Sequence, residues 1–114
     1  MSILARDVLK LNTAKEITVT SKSAAFAADA QGGDYKVLLL FTNAGNASAN
    51  VTIAKGDGPV GAGQDNTFAV GAGKTVGIAI DSGLYKQFTL ADYKDAYKIT
   101  PSAAVSVSII ELPQ

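Results

Sequence analysis

Residues 35–42 read YKVLLLFT, and the five apolar residues from Val37 to Phe41 form the longest uninterrupted apolar run in the chain. A run this short and this rich in bulky side chains predicts a central strand, covered on both sides or at least at its ends. Residues 42–48 (TNAGNAS) are turn chemistry: Gly45, Asn43 and Asn46 all tolerate positive φ. Beyond the turn, residues 49–55 (ANVTIAK) alternate, with Val51 and Ile53 directed inward. The two blocks and their turn predict a β-hairpin.

The same grammar extends in both directions. Upstream, Glu16 to Thr20 alternates, with Ile17 and Val19 on one face. Downstream, residues 56–66 (GDGPVGAGQDN) carry four Gly and a Pro and predict a long surface loop. Thr67 to Val70 reads as a short strand, Gly71-Ala72-Gly73 as a hairpin turn, and Lys74 to Ile80 as a strand with Val76, Ile78 and Ile80 on one face. From Leu84 to Lys98 neither period holds, and Thr89 with Asp92 resembles a weak helix start, so a single helical turn or an irregular crossing is expected. Lys98 to Thr100 and the alternating stretch Ala104 to Leu112 complete the pattern. The expected core comprises Val37, Leu39, Phe41, Val51, Ile53, Val76, Ile78, Val105, Val107 and Ile109.

Seven or eight short strands at roughly ten-residue spacing predict an all-β fold, an antiparallel β-sandwich with at most one short helical turn. A barrel is the second choice. Without the Cys and Trp pins of antibody domains, the sequence leaves immunoglobulin-like and jelly-roll orders both open. The 114 residues suit one domain, assigned to 13–114, preceded by an N-terminal apolar arm or edge segment at 1–12.

The missing residue types exclude much chemistry. The chain has no Cys, His or Trp, which removes disulfides, thiol catalysis, imidazole triads and most transition-metal ligation. Nine Lys and one Arg balance eight Asp and two Glu, and a net charge of zero argues against nucleic acid as a partner. No apolar run approaches the roughly 20 residues of a membrane span, and the start lacks signal-peptide order, so a soluble, non-secreted protein is expected. The sequons at Asn46 and Asn50 are read as chance matches in polar turns.

Three motifs mimic ligand sites. Gly56-Asp57-Gly58-Pro59-Val60-Gly61 satisfies G-x-G-x-x-G, but the residues after it begin no helix to receive a pyrophosphate. Gly71-Ala72-Gly73-Lys74-Thr75 resembles the end of a phosphate loop, yet Phe68 stands where the first glycine belongs and the next residues are strand-like. Asp57, Asp65 and Asn66 offer oxygen ligands, though with two carboxylates and no calcium-loop spacing they read as turn formers. No carboxylate pair is set in apolar surroundings as glycoside chemistry requires. No catalytic residue, metal or cofactor is therefore assigned. Tyr85, Phe88, Tyr93 and Tyr97, interleaved with Lys86, Lys94 and Lys98, could form a sugar platform; the simpler reading caps the core with rings and keeps the ammonium groups in water.

Ile3, Leu4, Val8, Leu9 and Leu11 make the N-terminal segment more apolar than a solvated tail should be. It either packs along the domain's own edge or lies on a neighbouring subunit by strand addition, and these five residues are the candidate partner-binding set.

Taken together, KVLLLFTNAGNASANVTIAKGDGP (36–59), AVGAGKTVGIAIDSGLYK (69–86) and KITPSAAVSVSIIELP (98–113) resemble small head proteins of tailed bacteriophages and prophages, of the capsid decoration or auxiliary kind. The resemblance implies a non-enzymatic structural virion protein on the capsid surface, soluble in the host cytoplasm before assembly. It further implies the major capsid protein lattice as partner, with homo-oligomers open. No family binding residue carries over to a numbered position. Similar sandwiches also serve as carbohydrate-binding or adhesion modules, which is the alternative expectation.

Overall fold

The computed structural model describes residues 3–29, 37–57, 63–80, 82–87, 90, 93 and 96–113. The fold is all-β, with two sheets packed face to face. Its strands are β1 (Ile3–Leu4), β2 (Asp7–Val8), β3 (Thr20–Lys22), β4 (Phe26–Asp29), β5 (Val37–Thr42), β6 (Ala49–Ile53), β7 (Asn66–Val70), β8 (Thr75–Ala79), β9 (Ala96–Pro101) and β10 (Val105–Glu111). One helical turn, α1 (Ser82–Tyr85), stands between β8 and β9, just before the Thr89 start, which lies outside the described residues.

One sheet runs β1-β4-β9-β6-β7 and the other β2-β10-β5-β8, with β3 also on β10. Setting aside β1 and β2, every pairing is antiparallel: β4-β9-β6-β7 faces β3-β10-β5-β8. The chain changes sheet at each step from β3 to β10 except from β6 to β7. That order is a jelly roll and not an immunoglobulin-like sandwich.

This topology overturns both expected hairpins. β5 and β6 lie in different sheets, as do β7 and β8, so residues 43–48 and 71–74 are arches across the sandwich. The true hairpin partner of β6 is β7, with Ala49 opposite Val70 and Ile53 opposite Asn66. Asn43 explains the arches. It is 2% exposed, and its side-chain amide donates to Ala47 O at 2.7 Å and to Val70 O at 3.0 Å. Its Oδ1 accepts from Gly45 N at 2.9 Å, its N–H donates to Lys74 O at 3.0 Å, and its carbonyl accepts from Gly73 N at 2.7 Å. Asn43 therefore acts through its side chain; the positive φ falls instead on Gly73, at 71°, which ends the second arch.

Between the sheets, the strict alternation of β5 buries Val37, Leu39 and Phe41. They meet Val51 and Ile53 from β6, Ile99 and Tyr97 from β9, and Val105, Val107 and Ile109 from β10. Val76 and Ile78 pack on this core but remain partly exposed because β8 is an edge strand. β4 has no counterpart among the strands expected from alternation: Phe26 and Ala28 enter the core, while Ala27 is covered from outside in a cluster with Tyr93 and Ala96. The expected strand at 16–20 reduces to Thr20, and Val19 is 63% exposed. The preceding backbone is held instead by a carboxylate, with Thr18 N donating to Asp7 Oδ2 at 2.8 Å.

Candidate functional site

The N-terminal segment is a strap over one side of the sandwich. Ile3 and Leu4 pair in parallel with Ala27 and Ala28 of β4, and four residues later Asp7 and Val8 pair in parallel with Ile110 and Glu111 of β10. The strap thus covers an edge of each sheet in turn, which blunts both against strand addition. Arg6, the only arginine in the chain, stands at the crossing. Its guanidinium lies 2.8 Å from Glu111 Oε1 and 3.8 Å from Asp29 Oδ2, so one cation joins the end of β10 to the end of β4. A lone arginine between two apolar pairs is the signal in the sequence for this clamp.

The candidate residues divide between the two sides of the strap. Leu4 packs against the core, and Leu9 is half-buried, its N–H bonded to Glu111 O at 2.9 Å. Ile3, Val8 and Leu11 are 46%, 48% and 72% exposed. Leu11 sits in a turn closed by Thr13, whose hydroxyl donates to Leu11 O, and Asn12 takes φ 58° there. Val19, which follows the Thr18 bonded to Asp7, and Leu112 are exposed as well. Of seven exposed large hydrophobics among the described residues, four lie between Ile3 and Val19, and Leu112 comes directly after the register partner of Val8.

The other candidates have structural employment. Asp65 Oδ1 accepts from Lys55 N at 2.9 Å and Asp57 Oδ2 from Leu90 N at 3.0 Å, so these carboxylates hold different segments. Asn66 is the first residue of β7. Gly56 is buried, and a Cβ there would stand 2.8 Å from the carbonyl oxygens of Leu84 and Lys86. Close packing on α1, not phosphate approach, requires this glycine. Residues 58–61 of the motif lie outside the described residues. Lys74 and Thr75 lead into β8, where no helix N-terminus is available.

The tyrosines do not make a common face. Tyr97 is 1% exposed inside the sandwich, Tyr93 is 8% exposed on the outside of the same sheet with Lys98 Nζ 5.4 Å from its ring centroid, and Tyr85 is packed against the core. Phe88 and Lys94 lie outside the described residues. A hollow of about 380 Å³ between the 43–48 and 102–105 arches is lined by Ser21, Thr42, Asn46, Ala103 and Ser106 among others, none of them ionisable. No helix among the described residues is long and apolar enough to cross a membrane.

The fold is a jelly-roll sandwich strapped along one side by its N-terminal segment. The chain matches no protein-family model, no curated protein and no solved structure.

Proposed function

We propose that this protein is a structural, non-enzymatic virion component of a tailed bacteriophage, which docks on the outside of the major capsid protein lattice and reinforces it. A ligand of the assembled shell stabilises that shell by mass action. The observation that carries the reading is exposed apolar surface in and around the strap: Val8, Leu11, Val19 and Leu112 are exposed, and the Arg6–Glu111 ion pair ties the strap to β10. Burying apolar surface is the main favourable term in most protein association. The alternative, a carbohydrate-binding or adhesion module, relies on a ring platform that buried Tyr93 and Tyr97 do not supply.

The test is co-sedimentation with emptied capsids of the phage that encodes this chain. The parent chain should pellet with the shells and raise their thermal disruption temperature. Leu11→Asp with Val19→Asp should leave the fold intact and reduce retention by about tenfold or more, since a charge on an apolar contact must be desolvated. Absence of the parent chain from the pellet would remove the decoration reading.

A further inference from the structure

Among the described residues, the side of the sandwich opposite the strap is open. β8 ends its sheet, and among the described residues nothing pairs with its outer edge. Thr75–Ala79 carries no charge, no proline and no positive φ, so it lacks the usual devices that discourage edge pairing. We propose that β8 pairs with β8 of a second copy of this chain, antiparallel about a two-fold axis at Gly77, and joins two sandwiches edge to edge.

The direction of the main-chain groups sets the register. Asn43 N donates to Lys74 O, and Thr42 Oγ1 lies 2.9 Å from Thr75 Oγ1. Lys74 therefore sits at a hydrogen-bonded position against β5 and Thr75 at a non-hydrogen-bonded one, where side chains approach most closely. Alternation continues along β8, so Thr75, Gly77 and Ala79 turn their N–H and C=O groups to the open edge. Gly77 is the middle of the three. Placing it opposite itself sets Thr75 opposite the second copy's Ala79 on both sides of the axis, and all three residues gain reciprocal hydrogen bonds. An isologous contact needs a surface complementary to itself, and this edge is one.

The side chains favour the same arrangement. Val76 and Ile78 face the core yet stay partly exposed at the edge. In the paired register Val76 lies opposite Ile78 of the other copy, so each edge completes the other's core. On the outer face Thr75, Gly77 and Ala79 are exposed, and Leu38 and Leu40 lean over Gly77, where an added Cβ would meet Leu40 Cδ2 at 3.1 Å. A net charge of zero adds no general repulsion between copies.

The chain has no cysteine, which makes a direct test clean. In the full-length protein, Thr75→Cys with Ala79→Cys places thiols on opposite strands at a spacing a disulfide spans, while within one chain the two positions are about 13 Å apart. Mild oxidation should give a covalent dimer from the double variant and far less from either single variant. In parallel, sedimentation equilibrium of the parent should show a concentration-dependent dimer. Thr75→Lys with Ala79→Lys, at exposed positions, should weaken it by about tenfold or more with an unchanged circular-dichroism spectrum. A parent that stays monomeric at millimolar concentration overturns the proposal. So does a dimer that the lysines leave intact and the cysteines fail to trap.

Discussion

The side-chain amide of Asn43 donates to the carbonyl of Val70 across 3.0 Å, joining the arch that leaves β5 to the last residue of β7. Because Asn43 also holds Gly45, Ala47, Gly73 and Lys74, one buried side chain and its backbone fix both crossings at this end of the sandwich. Asn43→Ala should cost about 2–3 kcal/mol in urea unfolding, since it leaves buried backbone groups without partners. Asn43→Asp should also destabilise, as a carboxylate accepts from Gly45 but cannot donate to Val70. Parent-like stability in both variants would show that the arches stand without the amide.

Gly56 tests the reading of the glycine loop. Replacement by Ala sets a methyl against two backbone carbonyls, neither of which can swing away as a side-chain end could. A loss of about 1–3 kcal/mol is expected from this overpacking, read as a lower melting temperature.

Leu39 is fully buried at the centre of β5, whereas Val76 is on the edge strand. Leu39→Ala should cost roughly 2–5 kcal/mol through lost transfer energy and a cavity. Val76→Ala should cost clearly less in the monomer. Equal losses in urea titrations of dilute protein would contradict the edge position of β8.

Deleting residues 2–12 uncovers the edges of β4 and β10, removes Leu4 from the core and takes away the Arg6 clamp. A sharply lower melting temperature is expected. Arg6→Met should cost about 1–3 kcal/mol, because Glu111 loses its close partner at a site largely shielded from water. A truncated chain that melts like the parent would mean the strap contributes nothing to the domain.

Asp57 and Asp65 already accept backbone hydrogen bonds, each in a different segment. Calcium, or ATP with magnesium, should leave the melting temperature unchanged. A saturable rise of several degrees would assign a ligand to this loop. Asp65→Ala should cost about 1 kcal/mol through the bond to Lys55 N.

Much of the strand content is legible in the sequence because alternation is local. Val37, Leu39, Phe41, Val51, Ile53, Val105, Val107 and Ile109 are buried as their spacing requires. Other positions depend on residues distant in sequence. β4 is hidden because Phe26-Ala27-Ala28-Asp29 does not alternate: Ala27 is covered by Tyr93, far along the chain. Glu16 to Thr20 alternates well, yet among the described residues only Thr20 of it pairs with a strand, and Val19 is exposed. In the N-terminal segment the apolar character of Ile3, Val8 and Leu11 is visible in the sequence, but the exposure of Val19 and Leu112 is decided by the tertiary structure.

The sequence by itself determined that this is an all-β chain, that it reverses at 43–48 and 71–73, and which side chains of its central strands point inward, because side-chain direction alternates with each residue of a strand. The tertiary structure decided what each turn connects. Turn chemistry at Asn43–Ser48 and Gly71–Gly73 reverses the chain equally well within a sheet or across the roughly 10 Å to the facing sheet. In the folded chain Asn43, bonded to Val70 and Lys74, braces the crossing, a contact between residues distant in sequence that turn chemistry does not show.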